Sequence, residues 1–218
     1  MKKRQYDQYC PVAGALDIVG ERWAMLIVRE LLLGPKRFVD LEGGLPGVGT
    51  NTLTTRLAEL ESAGVIARRT LPAPAASTVY ELTAWGRELE PIVYAIARWG
   101  APRLGKSTPR YPLRAGWLAV ALKAFFRRQA VRNLTTIIEL VLPTGTLTLN
   151  FARGDLRITE EPASAPAARI FATEEKVVEL LMGQMNRSSV KRHIRIEGDK
   201  SLLDRLAEAF PLAGEPLA

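Results

Sequence analysis

Residues 49–69 contain the clearest chemical pattern in the chain, a short amphipathic segment with hydrogen-bonding groups on one side. Leu53, Leu57 and Leu60 fall on one stripe of a 3.6-residue helix, which predicts a buried face. The other face carries an amide and several hydroxyls. Because such groups can pair with base edges, the segment fits the major groove of DNA. An ordinary amphipathic surface helix is the alternative that this segment alone leaves open.

The flanking residues favour the first interpretation. Gly49 or Thr50 is the expected N-cap of the helix, and Gly64 supplies the residue that ends it. A basic strand at residues 65–71 and a second strand at residues 78–82 then predict a hairpin beside the helix. This order is typical of a recognition helix followed by a wing.

Phosphate contacts would come from basic residues around this unit. Lys36 and Arg37 precede a predicted helix, whose N-terminus attracts phosphate, and Arg68 and Arg69 lie on the wing strand. Ser77 lies near the tip of the hairpin. The full set of candidate DNA-binding residues is Lys36, Arg37, Thr50, Asn51, Thr52, Thr54, Thr55, Arg56, Arg68, Arg69 and Ser77.

Composition agrees with an anionic partner. The chain has 218 residues, a net charge of +7 and an isoelectric point of about 9.8. One cysteine and one histidine exclude an internal disulfide framework and a structural zinc site. No nucleophile–base–orienter set is visible, so we expect no catalytic residue, cofactor or metal. We expect a cytoplasmic protein with no membrane segment.

Cys10 is a candidate redox sensor, because it precedes the first predicted helix and thiols at helix N-termini are reactive. A small residue that packs in a dimer interface is the alternative.

The first half predicts a winged helix-turn-helix fold. Its helices are expected at residues 10–18, 21–33, 37–43, 50–63 and 83–99, with Pro91 kinking or restarting the last one. Residues 100–112 are rich in Pro, Gly and basic side chains, which predicts a boundary between domains 1–102 and 112–218.

The second half predicts an α+β domain with a mostly antiparallel sheet, so the whole chain is α+β. Helices are expected at residues 113–131, 174–185 and 201–210, and strands at 135–142, 146–151, 155–159, 168–172 and 190–197. No acidic residue occurs from Pro91 to Ile138. A second band of phosphate contacts, a docking surface for an acidic partner and a plain solvated surface all fit this run.

The first half resembles the HxlR family of bacterial winged-helix regulators. The resemblance spans residues 10–100 and is carried by Cys10-Pro11-Val12, Gly20-Glu21-Arg22-Trp23, Arg29-Glu30-Leu31-Leu32, Arg37-Phe38, Leu45-Pro46-Gly47, Arg56-Leu57, Val79-Tyr80, Leu82-Thr83, Pro91 and Trp99. It implies a homodimer on palindromic double-stranded DNA, with the dimer contact built by the first and last helices. Glu59 is the only charged base-facing residue, which leaves the operator sequence open.

Residues 113–210 resemble the sterol-carrier-protein fold. The resemblance rests on the order of helices and strands and on Arg195-Ile196-Glu197-Gly198-Asp199 before the last helix. It implies a small apolar or acyl ligand. The leading hypothesis is therefore a dimeric transcriptional regulator with an apolar effector. The alternatives are the same regulator with a structural or dimerising second domain, and a lipid-handling carrier with a protein-binding first half.

Overall fold

The computed structural model describes residues 5–72, 76–103, 113–181, 185 and 187–210. The chain divides into two compact units, Met1–Val93 and Tyr94–Ala218. In the described ranges, no helix is both long enough and apolar enough to cross a lipid bilayer.

The first unit is a helical core with a small sheet on one side. Its helices are α1 (Pro11–Val19), α2 (Ala24–Leu31), α3 (Phe38–Gly44), α4 (Thr50–Ser62) and α5 (Ala84–Arg87), and α6 (Glu90–Gly100) begins in this unit. Its strands are β1 (Lys36–Arg37), β2 (Ile66–Thr70) and β3 (Thr78–Leu82). The central strand, β3, pairs antiparallel with both neighbours. This is the winged helix-turn-helix architecture predicted from the sequence.

Two glycines allow the chain to reverse closely after α4. Gly64 has a φ of +75°, a left-handed conformation that glycine adopts without cost. A Cβ on Gly86 would lie 1.9 Å from the carbonyl oxygen of Val65, so only glycine fits there. Between them, the Thr83 hydroxyl donates to the Gly64 carbonyl at 2.7 Å and accepts from the Gly86 N–H at 3.0 Å. This joint fixes the end of α4 against the start of α5.

One helix boundary predicted from the sequence in the first unit needs correction. The helix expected from residue 21 begins at Ala24, because Trp23 has a left-handed φ of 80°. Lys36 and Arg37 directly precede α3, as predicted, and they also form β1, which pairs with β3. The helix expected over residues 83–99 is α5 and α6, so the predicted restart near Pro91 is confirmed.

The second unit packs helices on a five-stranded sheet. Its helices are α7 (Ala115–Phe125), a 3-10 helix (Arg128–Val131), α8 (Glu174–Leu181), α9 (Arg187–His193) and α10 (Leu202–Ala209). Its strands are β4 (Thr136–Leu142), β5 (Gly145–Ala152), β6 (Asp155–Thr159), β7 (Ala168–Phe171) and β8 (Arg195–Gly198), in the order β6-β5-β4-β7-β8. Only the β4–β7 pair is parallel, so the predicted mostly antiparallel sheet is confirmed.

Buried polar side chains hold the connection from β6 to β7, which must cross the sheet because β5 and β4 lie between these strands. The buried Glu139 carboxylate accepts from the Ala163 N–H at 2.7 Å and from Arg169 Nε at 2.7 Å. Thr148 donates to the Glu161 carbonyl at 2.6 Å. These bonds satisfy groups that would be costly to bury unpaired.

Two predictions in the second unit are wrong in their extent. The helix expected over residues 113–131 ends at Phe125, because Phe126 is extended and its ring packs 5.8 Å from that of Phe210. The strand expected over residues 190–197 begins only at Arg195, and its first part belongs to α9. The helix expected over residues 174–185 is described to Leu181, and residues 182–184 lie outside the described residues.

Candidate nucleic-acid interface

Helix α4 presents a polar face to the exterior of the first unit. Leu53, Leu57 and Leu60 are at most 1% exposed, and they anchor the opposite side of the helix in the core. The exposed side chains toward the N-terminal end are Thr50, Asn51, Thr52, Thr54 and Thr55. The structure therefore brings these five predicted site residues together on one exposed stretch of helix.

The hydroxyls on this face are held by local hydrogen bonds. Thr54 donates to the Thr50 carbonyl and Thr55 to the Asn51 carbonyl, each at 2.9 Å. These bonds fix the side-chain rotamers, while the hydroxyl oxygens keep lone pairs that can accept. The Thr50 hydroxyl donates to Glu42 at 2.7 Å, which ties α4 to α3.

The N-terminus of α4 has uncapped backbone donors, and the Glu42 carboxylate lies beside it at the Thr50 hydroxyl. Its N-cap, Gly49, has no side chain that could accept from the first backbone N–H groups. These donors and the helix dipole favour a negatively charged group at this end. A phosphate placed there would lie beside Asn51 and Thr52.

Arg56 is placed differently from the other predicted residues. Its side chain is only 14% exposed and contacts the Glu59 carboxylate, with Glu21 at 3.5 Å. No described residue accepts a hydrogen bond from its Nε. Arg56 thus joins α4 to the segment before α2 and does not lie on the outward face.

Lys36 and Arg37 lie together on β1, the outer strand of the small sheet. Arg37 Nε and Nη2 each reach an Asp40 oxygen at 3.0 Å. This hydrogen-bonded pair lowers the pKa of Asp40 and raises that of Arg37. Because both side chains are largely exposed, the pair is a weak one that a phosphate can replace.

The two wing arginines point to opposite faces of the hairpin. Arg68 and Arg69 are neighbours in β2, and successive strand residues alternate in direction. Arg68 lies 3.5 Å from Glu61, and Arg69 lies 3.1 Å from Glu81 and lowers the pKa of that carboxylate through hydrogen bonding. Only one of the two can therefore face a given side of the wing. Ser77 is half-buried, and residues 73–75 of the expected tip lie outside the described residues.

Exposed apolar side chains form a feature that the site prediction did not include. Val12 and Leu16 lie four residues apart on α1, and Ile92, Ile96 and Trp99 share one side of α6. Trp99 is 84% exposed. In the sequence these apolar residues are three or four positions apart. That spacing indicates an apolar helix face, but it is equally typical of a helix buried in the core. Exposed apolar surfaces of this kind occur at sites that bind another protein chain, a membrane or a ligand.

Cys10 is exposed and occupies the N-cap position of α1. Among the described residues, no group of histidine, cysteine and acidic side chains is arranged to hold a metal ion.

The interior of the second unit contains a cavity of only about 10 Å³. It lies between the sheet and the helices, and its wall is wholly apolar, formed by Leu122, Leu140, Ile170, Val177, Leu180, Leu181, Ile194, Leu203, Leu206 and Phe210. A space of this size holds about one water molecule at most.

The fold and the outward face of α4 define a winged helix-turn-helix DNA-binding protein. Comparison with known proteins identifies its kind: the chain belongs to the HxlR-like helix-turn-helix family, whose model matches residues 18–108. Residues 121–211 match the SCP-2 sterol transfer family. The combination makes the protein an HxlR-type transcriptional regulator with a sterol-carrier-like second domain.

Curated relatives match the first half. The HTH-type transcriptional regulator sll1512 of Synechocystis sp. is 36% identical over 107 residues, which cover 49% of this chain and 79% of the relative. The HTH-type transcriptional regulator YvaP of Bacillus subtilis is 40% identical over 93 residues, which cover 42% of this chain and 86% of the relative. The solved structure of the redox regulator HypR in its oxidized form is 33% identical, covers 44% of this chain and 99% of HypR, and has a TM-score of 0.42.

Proposed function

We propose that two copies of this chain bind a palindromic operator, each placing α4 in the major groove, and so control transcription in the cytoplasm. The observation that carries the proposal is the exposed polar face of α4, anchored by three buried leucines. A rigidly held helix with hydrogen-bonding groups is what direct base readout needs.

The side chains of this face have distinct roles in the proposal. Asn51, Thr52 and Thr55 read base edges, with Thr54 beside them, and the open N-terminus at Thr50 receives a phosphate. Lys36, Arg37 and one wing arginine, with Ser77, contact the sugar–phosphate backbone. Arg37 and the wing arginine that faces the duplex exchange carboxylate partners for phosphates, which costs little because exposed ion pairs contribute only about 0.2–1 kcal/mol.

Dimerisation uses the exposed apolar faces of α1 and α6. Burying Ile92, Ile96 and Trp99 against a second copy removes large apolar side chains from water. Two recognition helices about 34 Å apart would then meet successive major grooves on one side of the duplex. The proposed domains are residues 1–102 for DNA binding and dimerisation and residues 112–218 for a ligand.

An apolar or acyl effector would require the second domain to open. Ligand sites typically have volumes of roughly 300–1,000 Å³, and the cavity found here has about 10 Å³. Helix α8 contributes Val177, Leu180 and Leu181 to its wall, so displacing this helix would enlarge it. The small size of this cavity, among the described residues of the second unit, favours the second candidate function, a domain that supports the regulator without a ligand.

Binding to DNA upstream of the protein's own gene tests the main proposal. The wild-type protein should prefer this duplex over a scrambled duplex of equal length and composition. Asn51→Ala should weaken specific binding by roughly 5- to 150-fold, the value of one bidentate base contact, and leave scrambled-duplex binding unchanged. Ser62→Ala, at the other end of α4, is the matched control and should bind as wild type. Equal affinity for both duplexes in the wild type contradicts the proposal and favours a carrier function.

Thermal unfolding with fatty acids, acyl thioesters and sterols separates the two versions of the second domain. An effector should raise the unfolding midpoint and change operator affinity. No shift with any of these ligands supports the purely structural role.

Redox sensing at Cys10 is a further part of the proposal. Its exposure permits an intersubunit disulfide or a small-molecule adduct. Treatment with diamide should give a covalent dimer on a non-reducing gel and altered operator binding, and Cys10→Ser should abolish both effects. A wild-type protein that stays monomeric on the gel and keeps its affinity contradicts a disulfide switch.

A further inference from the structure

Three separate stretches of the second unit that carry arginines come together around the 3-10 helix Arg128–Val131. We call them the arginine cluster, and its members are Arg127, Arg128, Arg132, Arg153 and Arg205. None of them belongs to the winged helix-turn-helix interface.

Contacts between these stretches bring the cluster together. A Cβ on Gly154 would lie 3.5 Å from the Cα of Arg132, so the turn that carries Arg153 rests directly on the end of the 3-10 helix. From α10, Arg205 Nη2 lies 3.4 Å from the carbonyl oxygen of Ala130, within the same helix. The backbone positions that carry these arginines therefore lie near one another, although they are far apart in sequence.

The cluster carries an excess of positive charge. Asp155 pairs with Arg128 at 3.2 Å and Glu208 pairs with Arg205 at 3.1 Å. Arg132 and Arg153 are exposed, and no carboxylate in the described ranges pairs with either of them. The described carboxylates do not offset the charges of Arg132 and Arg153, so this part of the second unit attracts a polyanion.

The turn that presents Arg153 is not explained by turn chemistry. Arg153 and Gly154 form the two-residue connection between β5 and β6, with φ values of 51° and 75°. Glycine and asparagine are favoured at such left-handed positions, and arginine is not. The fold thus holds arginine in a backbone conformation that glycine or asparagine adopts more easily.

We propose that the arginine cluster binds the phosphate backbone of DNA next to the operator. This inference rests on the proposed function, because it gives the second domain a share of the same duplex. Guanidinium groups bind phosphates bidentately, and such contacts add affinity without sequence preference. An anionic membrane is disfavoured, because every exposed large apolar side chain in the described residues lies at or before Trp99. The cluster thus lacks the apolar residues that anchor proteins in lipid surfaces.

The salt dependence of binding to a scrambled duplex tests this inference without knowledge of the operator. Each phosphate contact adds about 0.9 to the slope of log K against log salt, so removing both free arginines in both subunits should lower the slope by up to about 3.6. We would compare wild type with R132A/R153A and with the charge-preserving R132K/R153K, which should keep most of the slope. Arg192→Ala in α9, next to the strand at the opposite edge of the sheet, is the matched control and should keep the full slope. Thermal unfolding of each full-length variant checks that it folds.

The outcomes separate this inference from the proposed function. An unchanged slope for folded R132A/R153A overturns the inference, while wild-type preference for the operator would still support the regulator. A lower slope with intact preference for operator over scrambled DNA supports both. If R192A lowers the salt slope of scrambled-duplex binding as much as R132A/R153A does, the phosphate contacts are not localised at the arginine cluster, and the inference is overturned. The inference is also overturned in favour of a lipid surface if vesicles containing phosphatidylglycerol bind the wild type but not R132A/R153A, while the salt slope of DNA binding is the same in both proteins.

Discussion

Arg56 provides the sharpest test of how the interface is built. The sequence predicts that Arg56 contacts a phosphate of DNA. The structure instead places it against Glu59 and Glu21, with 14% of its side chain exposed. We therefore predict that Arg56→Ala lowers the stability of the protein and leaves the salt dependence of DNA binding unchanged. An exposed phosphate contact would do the opposite.

The size of the stability loss follows from the exposure of the three side chains. Glu59 and Glu21 are 31% and 47% exposed, so water can solvate them when the arginine is removed. Exposed ion pairs contribute about 0.2–1 kcal/mol to the free energy of unfolding, whereas breaking a fully buried pair lowers it by about 3–5 kcal/mol. For this partly buried pair we therefore expect an intermediate loss of roughly 2 kcal/mol. Truncation also removes the largely buried aliphatic stem of Arg56, which adds to the loss.

Denaturant unfolding of Arg56→Ala, Glu59→Gln and the double variant measures the loss and its origin. The two single changes should couple by roughly 0.5–3 kcal/mol, as expected for contacting residues. Arg37→Ala is the matched control, since this arginine is exposed and should lower the salt slope with little effect on stability. A folded Arg56→Ala variant with wild-type stability and a slope reduced by about 0.9 per subunit would refute the buried-pair interpretation.

Three further predictions concern the scaffold. Leu57→Ala should lower the free energy of unfolding by about 2–5 kcal/mol, because it leaves a cavity at a fully buried position of α4. A loss below about 1 kcal/mol in denaturant unfolding would show that the surrounding core rearranges to fill that cavity. Thr83→Ala should cost about 0.5–2 kcal/mol through the lost cap, and Thr83→Ser should restore most of it; equal stability of the two variants would show that the hydroxyl is unimportant. Arg69 holds the pKa of Glu81 below its ordinary value, so this pair stabilises the fold above that value and the contribution is lost as the pH falls through the lowered pKa. Glu81→Gln should therefore lose slightly less stability than wild type between about pH 6 and pH 3, and identical pH profiles would contradict the pairing.

The recognition helix could be predicted closely because every local signal agreed. Three leucines at helical spacing, an N-cap glycine and Gly64 defined α4 at Thr50–Ser62, and the strand expected at residues 78–82 is β3. The wing arginines were found, but their carboxylate partners Glu61 and Glu81 were not, because Glu81 lies on the paired strand β3 and Glu61 on α4. The burial of Arg56 was missed because its partner Glu21 lies 35 positions earlier in the chain, beyond any local pattern.

The second unit shows where local patterns mislead. Val190 and Ile194 satisfy both an alternating strand and an i, i+4 helix, and the hydrogen bond from the Ile194 N–H to the Val190 carbonyl shows that the helix prevails. The end of α7 at Phe125 is set by tertiary packing of the next residue, Phe126, against Phe151 and Phe210. The arginine cluster likewise arises from chain topology, since its members are separated by up to 78 positions, from Arg127 to Arg205.

The most direct measurement is a structure of the full-length protein bound to the duplex that it selects from random sequences. We expect α4 of each subunit in a major groove, with the Asn51 amide in hydrogen-bonding distance of a base edge and the half-sites about 34 Å apart. A complex in which this face of α4 points to solvent, or in which another surface enters the groove, would contradict this expectation.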